Sequence, residues 1–317
     1  MKVVSLSPVW RDELARRLNG GIDFVVVDPS DGPRLAEELP GADVLLTTRF
    51  DRQMADTCRS LALILCPAAG TEGIDRSAVP AGVEVVNGTG HEMPMAEYAL
   101  GALVALRQRF AAADAGLRKG TWRFGFFGTR GMVEELFGST LGLIGFGRIG
   151  VEIARRAKPF GITCHAVTLH PDKPVESGLL AAAPGALERE ADVDGLLATS
   201  DAVVIACELS QITRGLIDAR RFAMMRRSAV LVNIARGPIV DEKALYEALR
   251  DGTIAGAAID VWYGYPEAGH DQAEPSRYPF ATLENVMMTP HSSGWTAGAK
   301  ERKLDFLARE INTRFEV

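Results

Sequence analysis

Six residues near the middle of the chain, Gly145-Phe146-Gly147-Arg148-Ile149-Gly150, constrain the fold more than any other stretch. They follow an apolar run, "TLGLI", that reads as a strand, and they open "RIGVEIARRAKPF", which reads as an amphipathic helix. In that setting each glycine has a physical task. Gly145 permits a tight turn, Gly147 lets the backbone approach a pyrophosphate, and Gly150 lets helix and strand pack closely. The first N–H groups of the helix, at the positive end of its dipole, would face the phosphates. A glycine-rich turn without a ligand is the plainer alternative.

The motif begins so far along that a whole domain's worth of chain precedes it. Short apolar runs alternate with helical patterns on both sides. "KVVSL", "DFVVV", "ADVLLTT", "ALILC" and "VEVVN" are candidate strands before it, with "DELARRLN" and "PRLAEEL" as helices between them. "TLGLIGFG", "ITCHAVTL", "DAVVIAC", "AVLVNIA", "IAGAAIDVW" and "NVMMTP" follow. Continuous apolar strands separated by helices predict parallel sheets covered on both faces. The expected fold class is therefore α/β, with two doubly wound, Rossmann-like parallel sheets. Between the two sets, "MAEYALGALVALRQR" (Met95–Arg109) is helix-forming and apolar on nearly every face, which predicts burial all round. It serves either as a central packing helix or as an interdomain helix that also helps to form a dimer.

Length and charge narrow the function. A chain of 317 residues suits two domains. A net charge of −6 without a basic run gives no support to nucleic-acid binding. No segment approaches the ~18 uninterrupted apolar residues of a membrane span. "MKVVSLSP" is a short strand pattern without a cleavable signal, so a cytoplasmic location is expected. Cys58, Cys66, Cys164 and Cys207 show neither CxxC nor metal-ligand spacing, and buried free thiols are expected.

A dinucleotide-binding unit normally ends its second strand in an acidic residue that binds the ribose hydroxyls of NAD. Here "GITCHAVTLHPDK" puts Thr168 at that strand end, and the nearest carboxylate, Asp172, lies beyond Pro171. Thr168 would not repel a 2′-phosphate. His170 and Lys173 could attract one, although no arginine takes that place. NAD and NADP both stay open as the cofactor.

These motifs converge on a known family. "LFGSTLGLIGFGRIG", "LVNIARGPIVDEKALYEALRDGTIAGAAIDVW" and "TPHSSG" resemble the D-isomer-specific 2-hydroxyacid dehydrogenases, with "VNGTGHEMPMAEYAL" a looser match. The resemblance runs from about Cys66 to about Gly298. It implies a discontinuous, flavodoxin-like substrate domain, residues 1–94 plus 290–317. Into it is inserted a nucleotide-binding domain, residues 95–289, that includes a dimer arm. It also implies a cleft between the two, a homodimer, and a small 2-hydroxy or 2-keto acid as substrate.

Residue by residue, the resemblance maps the substrate-orienting arginine onto Arg236 in "NIARG" and the acid/base histidine onto His291 in "TPHSSG". Both follow apolar strand patterns, at the carboxyl ends where open α/β sheets bind ligands. A guanidinium can hold a planar carboxylate bidentately, and an imidazole can move a hydroxyl proton near neutral pH. A histidine on its own is more often structural. Asp260 matches the family aspartate that contacts the nicotinamide carboxamide, with a strand-end cap as the plainer role. Arg148 and Ile149 match the phosphate-loop pair, Ile234 and Ala235 flank the nicotinamide site, and His291, Ser293 and Gly294 close on the cofactor. Cys207 and Thr213 fall where the family lines the cofactor cleft, although Glu208 stands where a proline is usual. In the first domain Ala69, Gly70 and Thr71 form a small-residue turn whose backbone N–H groups suit an anion. The family uses this turn for the substrate carboxylate. Arg49 could add charge for an acidic substrate tail, or could be a solvated loop residue.

One position departs from the family. Its glutamate, five residues after the aspartate and directly before a proline, hydrogen-bonds the histidine. Counting from Asp260 reaches Tyr265, followed by Pro266. A phenol can orient an imidazole but cannot stabilise an imidazolium as a carboxylate does. Glu267 would substitute only in a remodelled loop. A neutral residue there leaves open a dehydrogenase of a small anion such as formate or phosphite. The resemblance, whose family includes corepressors that respond to the dinucleotide, leaves open a non-enzymatic dinucleotide-sensing protein.

Overall fold

The computed structural model describes the 317-residue chain apart from residues 8, 9, 130, 169–186, 190, 191, 268 and 315–317. The chain divides into two units, Met1–His91 with Thr296–Val317, and Glu92–Trp295. Each unit is built on a parallel sheet covered by helices.

In the first unit β1 (Lys2–Ser5), β2 (Asp23–Val26), β3 (Val44–Leu46), β4 (Leu63–Cys66) and β5 (Glu84–Asn87) lie in the order β2-β1-β3-β4-β5. Every pairing is parallel, and the order is the flavodoxin-like one. All residues of β3 and β4 are buried, because helices cover both faces and neither face can be polar. On one face Val3, Val44, Leu46, Leu63 and Leu65 pack with Leu304, Leu307 and Ile311 of the helix Ala297–Arg314. On the other, Val4, Leu45 and Ile64 pack with Leu39 and Phe50. The last helix of the chain thus completes the core of the first sheet, and this makes the unit discontinuous.

The second unit holds β6 (Thr140–Ile144), β7 (Thr163–Val167), β8 (Leu187–Arg189), β9 (Ala202–Ile205), β10 (Val230–Asn233), β11 (Gly256–Ile259) and β12 (Val286–Met288). Their order is β12-β11-β10-β9-β6-β7-β8, again all parallel. The chain starts at β6, runs outward to β8, and then returns to build the other side from β9. The order in which strands are added therefore reverses beside β6, the place where doubly wound sheets bind ligands. The edge strand β8 was not expected, since its "LER" carries no apolar run; backbone pairing to β7 defines it.

The helix Glu92–Gln108 packs Ala96, Ala99, Leu100 and Leu103 against this second sheet. Burial all round, as its composition predicts, is not reached within the chain: Glu97, Gly101 and Gln108 are exposed. One helix against one sheet covers one face. The helix stops because Arg109 takes a left-handed φ of 55°, and a second helix, Phe110–Leu117, follows. Beyond it lies a run of exposed large apolar side chains, including Trp122, Phe126, Phe127, Met132 and Phe137, with Phe126 97% exposed.

The units break at 91/92 and 295/296, where the sequence places the breaks at 94/95 and 289/290. The first shift arises because the helix begins at Glu92. The second arises because residues 291–293 are hydrogen-bonded to Asp260 of the second unit. Among the described residues no helix is long and apolar enough to cross a membrane.

Candidate active site

In the second unit the sequence-predicted residues fall in a row along one edge of the sheet. Thr168 follows β7, Gly145 follows β6, Cys207 follows β9, Arg236 follows β10, Asp260 ends β11 and His291 follows β12. The six strands are consecutive neighbours. At ~4.8 Å per strand the row spans roughly 24 Å of carboxyl edge.

The glycine loop meets the requirements set out for it. Gly145 has φ 99°, and a Cβ there would stand 2.7 Å from the Cys207 nitrogen. Two constraints, conformation and the neighbouring strand end, therefore exclude any side chain. A Cβ on Gly150 would stand 2.6 Å from the Gly145 oxygen, so the helix Arg148–Ala157 sits directly on the turn. A Cβ on Gly147 would meet nothing within 4 Å. The loop faces open space there, and no side-chain hydrogen bond caps the helix start. Uncapped N–H groups beside open space suit a phosphate.

At the other end of the row Asp260 organises the loop that carries His291. Asp260 is fully buried. Its carboxylate accepts from the Thr289 hydroxyl at 2.6 Å, from the Ser292 N–H at 2.8 Å and from the Ser293 N–H at 2.9 Å. Its main-chain oxygen accepts from the His291 N–H at 2.9 Å. This clamp turns His291 into the left-handed region, φ 55°, which a residue with a Cβ adopts only when its surroundings require it. Thr289 is fixed from behind by the Tyr98 phenol at 2.6 Å. Since Thr289 gives its own proton to the acceptor-only carboxylate, Tyr98 is the donor to Thr289. Burial pushes the Tyr98 pKa up to about 12.

Tyr265 stands beside the His291 ring. Its oxygen lies 3.0 Å from His291 Nδ1 and accepts the Trp262 N–H at 3.0 Å. Burial raises the Tyr265 pKa; the Trp262 N–H and the Arg236 charge work against that, and Asp260 adds to it. The group is a neutral phenol through the neutral range. Glu267 is exposed, past the proline. The intervening loop is held by Tyr263 and Gly264, whose N–H groups both donate to the Pro275 carbonyl.

Arg236 is half-buried, and its guanidinium donates to the Ala235 carbonyl at 2.7 Å. Asn233, buried at the end of β10, braces that turn: its side chain accepts the Ala235 N–H at 3.1 Å and donates to the Arg236 carbonyl at 3.0 Å. Gly237 follows because a Cβ there would stand 2.4 Å from the Trp262 oxygen. Ile234 and Ala235 are buried. Thr213 is buried too, accepting the Ser210 N–H at 2.7 Å and donating to the Glu208 carbonyl at 2.8 Å, so it closes the turn after β9. Cys58, Cys66 and Cys164 are buried free thiols, while Cys207 is only half-buried; burial pushes the Cys207 pKa up to about 12. Asn233, Thr289 and Trp262 are supports that the sequence reading missed. Asn233 alone had a local signal, since an Asn at a strand end can bond the backbone two residues on.

In the first unit the turn after β4 presents Ala69, Gly70 and Thr71. The Ala69 carbonyl accepts from Asn87 at 2.8 Å and the Gly70 carbonyl from the Cys66 thiol at 3.5 Å. Among the described residues the three N–H groups of this turn have no acceptor. Arg49 is largely exposed, with its guanidinium 3.4 Å from Asp51, as a solvated loop arginine would be. Thr168 is half-buried at the end of β7. His170, Asp172 and Lys173 lie outside the described residues.

Residues 100–293 match the family model described as "D-isomer specific 2-hydroxyacid dehydrogenase, NAD binding domain". The chain is 33% identical over 283 residues to a D-3-phosphoglycerate dehydrogenase of Methanocaldococcus jannaschii, covering 87% of this chain and 50% of that protein. It thus spans about half the length of that relative. It is also 33% identical over 298 residues to a glyoxylate reductase of Thermofilum pendens, covering 91% of this chain and 84% of that protein. Among solved structures a protein from Pyrococcus horikoshii superposes with a TM-score of 0.78 at 28% identity, covering 97% of this chain and 91% of that one.

The Asp260 clamp is directly testable. Asp260→Ala leaves the Thr289 hydroxyl and the Ser292 and Ser293 N–H groups without their acceptor, and Ser293 is buried. The expected loss of stability is about 1–3 kcal/mol, the cost of stranding buried donors, read from urea unfolding. Amide exchange at Ser292 and Ser293 should accelerate with it. Unchanged protection at Ser293 would show that the carboxylate does not hold the loop.

Proposed function

This chain belongs to the D-isomer-specific 2-hydroxyacid dehydrogenase family, and we propose that it is an NAD(P)-dependent oxidoreductase interconverting a small 2-keto acid and its 2-hydroxy acid. One observation carries the reading. The His291 ring, exposed and held in a left-handed backbone, shares one sheet edge with Arg236 and with the open, uncapped loop Gly145–Gly150.

The residues present fit a dinucleotide. Gly145, Gly147, Arg148, Ile149 and Gly150 would hold its pyrophosphate, and Thr168 would meet the ribose. Cys207, Thr213, Ile234, Ala235, Asp260, Ser293 and Gly294 would line the nicotinamide end. Bound there, the cofactor supplies hydride to C2 of the keto acid or takes it from C2 of the hydroxy acid. Arg236 holds the substrate carboxylate and polarises the adjacent carbonyl. His291 gives a proton to the carbonyl oxygen in reduction and takes it back in oxidation. The unengaged N–H groups of Ala69, Gly70 and Thr71 in the first unit are also suited to a carboxylate. The test is a panel of 2-keto acids with NADH and NADPH, with formate and phosphite assayed against NAD and NADP. Turnover of formate or phosphite alone would replace the reading.

The assembly proposed is a homodimer. The exposed large apolar side chains from Phe110 to Phe137, Phe126 and Phe127 among them, are the surface that a second copy would cover.

Three outcomes are expected. His291→Ala should lower turnover by roughly 10²–10⁴-fold, the range for a lost proton-transfer group. Arg236→Ala should lower it too, by removing the group that holds the substrate carboxylate. Dinucleotide affinity should be nearly unchanged in each; near wild-type rates in either would remove that residue from the chemistry. Thr168→Asp should shift cofactor preference toward NAD, because a carboxylate repels a 2′-phosphate, and an unchanged ratio of kcat/KM values would place the ribose elsewhere. Light scattering should give twice the chain mass at micromolar concentration; a monomer there would rule out the dimer.

A further inference from the structure

The pairing of Tyr265 with His291 does more than fill the place of a carboxylate. We propose that Tyr265 holds the neutral His291 ring as its Nε2–H tautomer, so that His291 presents a hydrogen-bond donor, and not a base, to the substrate. The proposal rests on the reading of His291 as the acid/base group.

The assignment follows from counting donors. The Tyr265 oxygen has two partners, the Trp262 N–H and His291 Nδ1, each at 3.0 Å. A backbone N–H can only donate, so it occupies a lone pair of the phenol. The phenol has one proton to place, and of its two partners only Nδ1 can accept it. If Nδ1 carried the proton instead, the phenol would accept twice and its own O–H would have no acceptor among the described residues. Tyr265 is 48% exposed, so its O–H would then have to turn to water, while its oxygen took two N–H donors at once. A phenolate could accept from both partners, but burial raises the phenol pKa and opposes that form. The arrangement that satisfies these groups within the protein is Trp262 N–H to Tyr265 oxygen, and Tyr265 O–H to Nδ1, with the ring proton on Nε2. Tyr265 is held in place for this: its chain neighbours Tyr263 and Gly264 both donate to Pro275, and a Cβ on Gly264 would stand 2.3 Å from the Glu274 oxygen.

A carboxylate in this place can only accept. It imposes the opposite tautomer, Nδ1–H with a bare Nε2, and that form takes a proton from an alcohol. The consequence for turnover follows from where the protons go. In reduction, C2 gains hydride from the reduced nicotinamide and the carbonyl oxygen takes the Nε2 proton. For the ring to end neutral it must begin as imidazolium and finish with its proton on Nδ1. Oxidation is the same step reversed, beginning from the Nδ1–H ring. Neither participant is the form that Tyr265 stabilises. The resting Nε2–H ring donates to a carbonyl oxygen and binds the keto acid well, while transfer requires the Tyr265 O–H to give up Nδ1. Tyr265 is a positioning residue that trades kcat for a low keto-acid KM, and microscopic reversibility slows both directions alike.

The test reads the ring itself. Protein labelled with 15N at histidine, with the His291 signals assigned by their loss in His291→Asn, is measured at about pH 8, above the ordinary imidazole range. The wild type should show a protonated Nε2 and an unprotonated Nδ1. In Tyr265→Glu the proton should move to Nδ1. The same variant should raise kcat by on the order of 10-fold or more, as a productive tautomer is restored. Its keto-acid KM should rise by about 10-fold, the worth of one lost neutral hydrogen bond. A wild-type ring protonated on Nδ1 overturns the proposal, as does a Tyr265→Glu variant with unchanged ring signals and an unchanged split between KM and kcat. Failure of the underlying reading is distinguishable. If His291→Ala turned over normally, His291 would not be the acid/base group, yet the nitrogen signals would still report its tautomer.

Discussion

The arrangement of the site depends on one buried carboxylate. Asp260 ends β11, and its oxygens are occupied by three donors from the segment after β12. A buried carboxylate stripped of its donors is expensive, and each hydrogen bond to a charged group contributes about 1.5–3 kcal/mol. The segment from Thr289 to Ser293 therefore cannot swing away without stranding a charge in the core. The same clamp carries His291 over the left-handed barrier. The imidazole reaches the sheet edge because Asp260 is anchored beneath it, with Trp262 tying the Thr289 carbonyl through its indole N–H at 2.8 Å.

The second constraint is the contact of Gly145 with Cys207. These residues end the adjacent strands β6 and β9, on either side of the point where the winding of the sheet reverses. A Cβ at Gly145 would collide with the Cys207 backbone, so the turn can close only with glycine. The crevice beside it opens toward the uncapped start of the helix Arg148–Ala157. Backbone geometry, strand order and helix electrostatics all favour an anion at that one place.

Around His291, chemistry is set by how many protons each neighbour can give. An acceptor-only carboxylate and a phenol differ in what they can offer Nδ1, since only the phenol has a proton to give. Asp260 and not residue 265 supports the loop that carries His291, so a single side chain can alter the proton inventory beside the ring. The loop bearing Tyr265 is in turn secured by backbone bonds to Pro275, so its side chain is the adjustable part.

Much of this was legible in the chain itself. All five strands of the first sheet and six of the seven in the second appear as apolar runs, because strands covered on both faces have few polar residues to interrupt them. The β8 edge, with "LER", had no such signal. The glycine motif announced its turn, because each glycine answers a local steric demand. Spacing from Asp260 placed Tyr265, and the structure brings its oxygen to His291. What the sequence could not show is how the polar groups divide their hydrogen bonds. That Asp260 spends its carboxylate on residues 289–293, that Asn233 braces the Arg236 turn, and that the Tyr265 oxygen meets both the Trp262 N–H and the His291 ring are all contacts between different loops or made through a turn. Periodicity records which faces are apolar along one element. It carries no information about which donor from one strand end meets which acceptor from the next, and that was decided only when the strands were brought side by side.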